Sequence, residues 1–198
     1  TPMKDRLQKQ LDFLIEADKL KTVLRQTVLI DKSRRENDAE HSWHFALAAV
    51  VLHEYAAKEN VDLARVMKMA LIHDMVEIYA GDTFAYDEPG YADKQEREAR
   101  AADRLFSILP DDQSGEFRAL WEEFERMETA DAQFAAACDR LQPFINNSMT
   151  QGHTWAHNHV TSDKVYKRMD AVRTAMPELW EFVENVIRDS IENGYLLP

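Results

Sequence analysis

Glycine and proline are scarce in this sequence, with five and six copies among 198 residues. These two residues are the ones that most often form turns, so the sequence has few turn signals. This favours long helices over many short strands. Apolar residues recur with helical spacing, and no stretch of useful length alternates with period two. We therefore predict an all-α fold, an orthogonal helical bundle and not a parallel four-helix bundle.

Several segments combine helical periodicity with suitable end residues. Apolar residues of segment 5–20 share one face, namely Leu7, Leu11, Leu14 and Ile15. Asn37 is the predicted N-cap of a helix to about residue 58, with Glu40 three residues on in a capping box. The next helix starts at Asn60 or Asp62 and continues to Gly81. Further helices are predicted at about 92–108, 113–128, 130–149, 162–175 and 178–193.

Length and charge narrow the possible partners. The 45% apolar content of 198 residues suits one domain with a buried core, and we predict a single domain over 1–198. The net charge of −12 would repel a nucleic-acid polymer, whose binding proteins carry a basic surface. A small anion is compatible with this charge, because a metal ion and one or two local cations can hold it.

Cysteine content and hydropathy indicate the expected environment. Cys138 is the only cysteine, so neither an intramolecular disulfide nor a cysteine-based zinc site can form. The first residues lack the apolar stretch of a signal peptide, and the longest apolar run, 45–52, is too short to span a bilayer. We expect a soluble, cytoplasmic protein without a membrane partner.

The dipeptide His73-Asp74 is the first candidate for chemistry. It lies in the apolar segment 70–77, so it should be largely buried, and a buried His-Asp pair needs a partner such as a metal ion. Glu77 follows His73 by four residues, which places both on one face of a continuous helix. Asp82 comes directly after the predicted helix end at Gly81. Each residue also has an ordinary interpretation, as a hydrogen-bonded core histidine, a solvated helix charge or a turn residue.

His41 and Asp139 would complete a metal site. Two neutral imidazoles and two carboxylates offset the charge of one divalent ion and leave positions open for water and substrate. Spacing alone does not select these two residues. Asp139 could instead pair with Arg140 or with a helix N-terminus.

The order His41, His73-Asp74, Asp139 resembles the signature of the HD superfamily of metal-dependent phosphohydrolases. Further segments are similar to its 5′-deoxynucleotidase branch. These are 20–25, 35–42, 70–77, 81–82 and 120–125. The resemblance covers about residues 10–175, which would form the core of the HD domain, followed by a C-terminal helix at about 178–193.

The resemblance implies an HD-domain orthogonal bundle that releases phosphate from deoxynucleoside 5′-monophosphates. It implies one divalent metal ion, cobalt or manganese in typical relatives, with magnesium, iron, nickel and zinc also open, and a homodimer. The implied metal ligands are His41, His73, Asp74 and Asp139. The implied acid–base and substrate-orienting carboxylates are Glu77 and Asp82, and the implied phosphate contact is Arg25, with Arg35 as a weaker candidate.

Two segments depart from the bacterial deoxynucleotidases. Gln26-Thr27 replaces the tryptophan that usually follows the first arginine and shapes the nucleotide pocket, so base and sugar preference are open. Segment 151–160, which contains His153, His157 and His159, is a surface loop, a pocket wall or a second metal-binding patch. The alternative functions are hydrolysis of another nucleotide ester (a triphosphate, cyclic nucleotide or alarmone) and a catalytically silent metal-binding module.

Overall fold

Helices dominate the computed structural model, which describes residues 2–198. The first α-helices are α1 (Pro2–Ala17), α2 (Asp38–Leu52), α3 (Leu63–Ile72), α4 (Glu77–Ala80) and α5 (Lys94–Phe106). They are followed by α6 (Asp111–Arg126), α7 (Ala130–Met149), α8 (His153–His157), α9 (Ser162–Ala175) and α10 (Trp180–Glu192). The prediction of an all-α fold is confirmed. Thr1, part of the predicted single domain, lies outside the described residues.

A two-stranded antiparallel sheet interrupts the helical pattern between α1 and α2. Its strands are β1 (Leu24–Val28) and β2 (Arg35–Asn37), joined by a polar turn. This hairpin is absent from the sequence-based prediction because three to five residues are too few for a period-two signal. The hairpin matters for the site because β1 carries Arg25 and β2 leads directly into α2.

Helix α7 is the central element and packs against α2, α3, α6 and α9. The Thr129 side chain accepts a hydrogen bond from the amide of Ala132 and caps its start. Buried alanines at 135–137 favour the helix and let neighbouring backbones approach closely. Asp139 therefore lies on the most enclosed helix of the bundle.

The predicted capping box at the start of α2 is confirmed. The Asn37 side chain accepts from the Glu40 amide, and the Glu40 carboxylate accepts from the Asn37 amide. The helix ends earlier than predicted, at Leu52, and a 3-10 turn follows at His53–Tyr55. The cap fixes the first turns of α2, where His41 is fully buried.

The predicted continuous helix from residue 62 to Gly81 is wrong. Asp62 caps α3 as expected, but α3 ends at Ile72, and a tight turn precedes α4. Its amides bond three residues back, including Glu77 N to Asp74 O at 2.9 Å. His73 and Glu77 therefore do not lie on one continuous helix.

Helix α1 leaves most of its apolar face uncovered. Phe13 is buried, whereas the four residues predicted to share a face are exposed: Leu7, Leu11, Leu14 and Ile15. A second apolar stripe lies on α2, where Trp43, Leu47 and Val51 are also exposed. Within residues 2–198, every helix is too short or too polar to cross a membrane.

Candidate metal centre

Four side chains from three segments converge between α2, α3 and α7. His41 Nε2 lies 2.7 Å from Asp139 Oδ1 and 3.8 Å from Asp74 Oδ2. His73 Nε2 lies 3.2 Å from each of the same two oxygens. Residues 98 positions apart in sequence thus meet at one point, and we call His41, His73, Asp74 and Asp139 the His-Asp cluster.

Both imidazoles are held from behind by carbonyl oxygens. His41 Nδ1 lies 2.6 Å from the Gln142 side-chain oxygen, and His73 Nδ1 lies 2.9 Å from the main-chain oxygen of Ala70. Because a carbonyl oxygen only accepts, each Nδ1 must donate. In the neutral tautomer, both Nε2 lone pairs then face the carboxylates, as in metal-ligating histidines.

The His-Asp cluster has the chemistry of a cation site. His73 Nε2 is buried and, despite its short distances, makes no hydrogen bond within the described part of the chain. Burial lowers the pKa of His73, but Asp74 and Asp139 raise it well above its usual value. Burial raises the pKa of Asp74, but His73, His41 and Arg25 bring it to about 2. These groups attract positive charge, and two histidines with two carboxylates fit a divalent ion.

Asp38 and Glu77 form a second acidic group around Asp74. Neither Asp38 oxygen nor Glu77 Oε2 has a hydrogen-bond donor among residues 2–198. Burial and the charge of Asp74 raise the pKa of Asp38 to about 7, and they raise the pKa of Glu77 well above its usual value. A raised pKa makes a carboxylate a stronger base, so Asp38 can exchange a proton near neutral pH and Glu77 is more basic than an ordinary carboxylate.

Arg25 reaches the carboxylates from β1. Its Nε donates to Glu36 Oε1 at 3.1 Å, and its Nη1 lies 3.4 Å from Asp74 Oδ2 and 3.9 Å from Asp38 Oδ1. The guanidinium is therefore a structural ion-pair partner that also borders the cavity. Arg35 differs: it is exposed, donates to the main-chain oxygen of Arg25 and is not among the cavity-lining residues.

A cavity of about 620 Å³ opens onto the cluster. Its size lies within the usual range of small-molecule sites. The predicted site residues on its wall are Arg25, His73, Asp74, Glu77, Asp82 and Asp139, whereas His41 lies fully buried behind them. Burial raises the pKa of Asp82, with Arg25 acting against that rise.

The two departing segments also border the cavity. Gln26 and Thr27 line it, as do Thr154 and Trp155 of α8. The stacked rings of His153 and His157, 5.0 Å apart, are not among the lining residues. The segment therefore contributes its tryptophan, and not its histidines, to the wall.

Gln142 and Asp38 are site residues that the sequence did not predict. Gln142 is three residues after Asp139, on the same face of α7, and its amide donates to Glu36 Oε2 at 3.0 Å while its oxygen faces His41. Asp38 is three residues before His41 on α2. Helical spacing from Asp139 and from His41 was the signal that could have found these two residues.

The family described as HD domain matches residues 17–180. The chain belongs to the HD-domain family. The predicted resemblance to this family is thereby confirmed, and the HD domain explains the all-α fold.

Relatives of this HD-domain protein include named enzymes. It is 31% identical to the 5′-deoxynucleotidase HDDC2 of Bos taurus and 30% identical to that of Homo sapiens, over 70% of this chain and 66% of each relative. The chain thus spans just under two thirds of the length of these curated relatives. A crystal structure of a predicted metal-dependent phosphohydrolase from Magnetospirillum magnetotacticum MS-1 is 52% identical, with a TM-score of 0.93, over 98% of this chain and 97% of that one.

The buried Glu98 of α5 is expected to make the stability of the HD domain depend on pH. Glu98 is buried, and burial raises its pKa from 4.5 to about 7, although Lys94 lies 3.7 Å away and opposes the rise. Glu125 and Asp74 add to the rise, and Arg97 opposes it. Between pH 4.5 and about 7, the folded state binds more protons at Glu98 than the unfolded state does. The free energy of unfolding therefore decreases as pH rises through this range.

Glu98→Gln removes the ionisation. The substitution is expected to raise the free energy of unfolding more at about pH 8 than at about pH 5.5, by about 2 kcal/mol. Urea denaturation at both pH values measures this difference. Glu96→Gln, on the exposed face of the same helix, is the matched control. An equal effect of Glu98→Gln at both pH values would contradict the expectation.

Proposed function

We propose that this HD-domain protein is a metal-dependent phosphohydrolase that releases phosphate from (deoxy)nucleoside 5′-monophosphates. The observation that carries the proposal is the convergence of two inward-facing Nε2 atoms and two carboxylates beside a cavity of nucleotide size. The names of the HDDC2 relatives, 5′-deoxynucleotidase, and of the Magnetospirillum protein, predicted metal-dependent phosphohydrolase, support it.

The His-Asp cluster would hold one divalent ion through His41, His73, Asp74 and Asp139. Such an ion supplies Lewis acidity toward a phosphoryl oxygen and toward water. This donor set suits several divalent ions: cobalt, manganese, magnesium, iron, nickel and zinc. Which of them is bound depends on the availability of each metal. The carbonyl oxygens of Gln142 and Ala70 keep both imidazoles in the tautomer that such binding requires.

Glu77 would accept a proton from the attacking water. Its unpartnered oxygen and raised pKa suit a general base, and Asp38 and Asp74 keep that pKa high. Asp82, on the cavity wall, would orient a sugar hydroxyl or assist the leaving oxygen. These two carboxylates are the proposed catalytic residues.

Arg25 would bind the phosphate and offset the negative charge of the transition state. Its pairing with Glu36 fixes the guanidinium at the cavity wall, where it can present the remaining N–H groups to phosphate oxygens. Arg35 remains a weaker candidate, because only a movement of its exposed side chain would bring it to the cavity.

A homodimer is part of the proposal. The exposed apolar stripe of α2, with Trp43, Leu47 and Val51, and the uncovered face of α1 are surfaces that a second copy would bury. Residues 1–198 would form one HD domain in each subunit. A cytoplasmic location and the exclusion of nucleic-acid polymers stay predictions from the sequence.

Phosphate release from nucleotides tests the proposed function. Protein freed of metal and then loaded with each divalent ion is incubated with a panel of ribo- and deoxynucleoside 5′-monophosphates. Release that requires the ion and the 5′-phosphate supports the proposal. Cleavage of only triphosphates, cyclic nucleotides or alarmones would favour another HD hydrolase, and the absence of any turnover would favour a silent metal-binding module.

Gln142→Leu tests the support behind His41. The substitution removes the acceptor that holds Nδ1, so the affinity for the metal ion is expected to fall by about 10-fold to 100-fold. Calorimetric titration with Mn²⁺ measures the change. Gln133→Leu on the same helix lies outside the site and should bind Mn²⁺ like the unchanged protein. Unaltered affinity in Gln142→Leu would remove Gln142 from this role.

A further inference from the structure

The cavity wall contains a group of basic residues outside the His-Asp cluster. On α9, Lys167 and Arg168 follow Lys164 by three and four residues, so each is a neighbour of Lys164 on the helix surface, and Arg140 joins them from α7. All four line the cavity. We call these four residues the basic wall.

Three cations of the basic wall lack acidic partners. Arg140 donates to the main-chain oxygen of Arg168 at 3.1 Å and to the sulfur of Met127 at 3.3 Å, both uncharged acceptors. Within residues 2–198, the charged groups of Arg140, Lys167 and Arg168 have no carboxylate within 4.0 Å. Lys164 lies 3.7 Å from Glu88.

Arg140 and Arg168 are in direct contact through the hydrogen bond from Arg140 to the main-chain oxygen of Arg168, and both residues line the cavity. Burial raises the pKa of Tyr86, and both arginines oppose that rise, so the phenol of Tyr86 lies near them on the wall. Holding two like charges together in a partly buried place is unfavourable unless an anion joins them.

The basic wall exceeds what one phosphate requires. Arg25 already borders the His-Asp cluster, where a divalent ion would add two further positive charges. The protein as a whole carries 36 acidic and only 24 basic residues, so three neighbouring cations without a carboxylate partner are not the average property of its surface. A second anion on the ligand would account for the excess.

We propose that the basic wall binds a second anionic group of the substrate, and that among 5′-nucleotides the protein prefers those with a second phosphate besides the one removed. Arg140 and Arg168 would contact its oxygens through paired N–H groups, and Lys164 and Lys167 would add point charges. This inference rests on the phosphohydrolase function proposed above.

Substrate preference tests the basic wall. Phosphate release by the Mn²⁺-loaded protein is compared for thymidine 5′-monophosphate and thymidine 3′,5′-bisphosphate. We expect kcat/KM to favour the bisphosphate by about 10-fold or more, the range of charge-assisted hydrogen bonds. Arg140→Gln and the exposed Lys167→Gln should each reduce this preference, while Arg100→Gln, an exposed change on α5, should retain it.

A binding measurement separates this inference from the proposed function. Thymidine 3′-monophosphate lacks a 5′-phosphate, and its affinity is measured by calorimetry without any turnover. Weaker binding in Arg140→Gln and Lys167→Gln than in Arg100→Gln supports the basic wall even if no nucleotide is hydrolysed. Equal binding in all three variants, or equal kcat/KM for the two thymidine substrates, would overturn it.

Discussion

Glu77→Gln is expected to reduce kcat by about 100-fold to 10,000-fold, the usual contribution of a general base. Glutamine has the size of glutamate but cannot accept the proton. The Glu77 carboxylate is buried, one of its oxygens has no donor within residues 2–198, and its pKa is raised by burial and by Asp74 and Asp38. Steady-state phosphate release at saturating substrate measures the loss.

Metal binding separates this role from a structural one. Glu77 is outside the His-Asp cluster, so Glu77→Gln should bind Mn²⁺ with nearly the affinity of the unchanged protein. Glu125→Gln is the matched control, because Glu125 is another carboxylate on the cavity wall. Full turnover in Glu77→Gln would remove Glu77 from the mechanism, and loss of Mn²⁺ binding would make it a ligand.

Asp139→Asn is expected to weaken Mn²⁺ binding by more than about 100-fold and to abolish phosphate release with it. Asp139 Oδ1 contacts both imidazoles, at 2.7 and 3.2 Å, so it lies at the centre of the cluster. Asparagine keeps the shape but removes the negative charge, and a loss of about 2.7 kcal/mol of binding corresponds to a factor of 100. Calorimetric titration with Mn²⁺ gives the affinity directly.

Asp170→Asn is the control for the effect of charge. Asp170 is exposed on α9, so its neutralisation changes the net charge equally without touching the cluster. Circular dichroism of both variants verifies that the helices are intact. Normal Mn²⁺ affinity in folded Asp139→Asn would show that Asp139 is not a ligand.

Helix positions were largely predictable because they depend on local patterns. The ranges 130–149 and 162–175 agree with α7 and α9, and the capping box at Asn37 follows from spacing alone. The β hairpin and the break after Ile72 were not predictable. The hairpin strands are too short for a period, and the break depends on hydrogen bonds three residues back within an apolar segment that reads as continuous helix.

The site was predictable only in part for a similar reason. The motif around His73-Asp74 stands out locally, and the family resemblance supplied His41 and Asp139, which spacing did not select. Gln142, Asp38 and the basic wall depend on which helices pack together, and this information is absent from any single segment. Arg140 is the alternative partner of Asp139, but in the structure its hydrogen bonds go to Arg168 and Met127.

The separation of 98 positions in sequence between His41 and Asp139 has a thermodynamic consequence. An unfolded chain seldom brings such distant groups together, so an ion that occupies the cluster is bound by the native state alone. Occupancy is then linked to folding, and an ion at 100 times its Kd adds about 2.7 kcal/mol to the free energy of unfolding. A chelator would lower the melting temperature, and melting curves would report how much of a preparation is loaded.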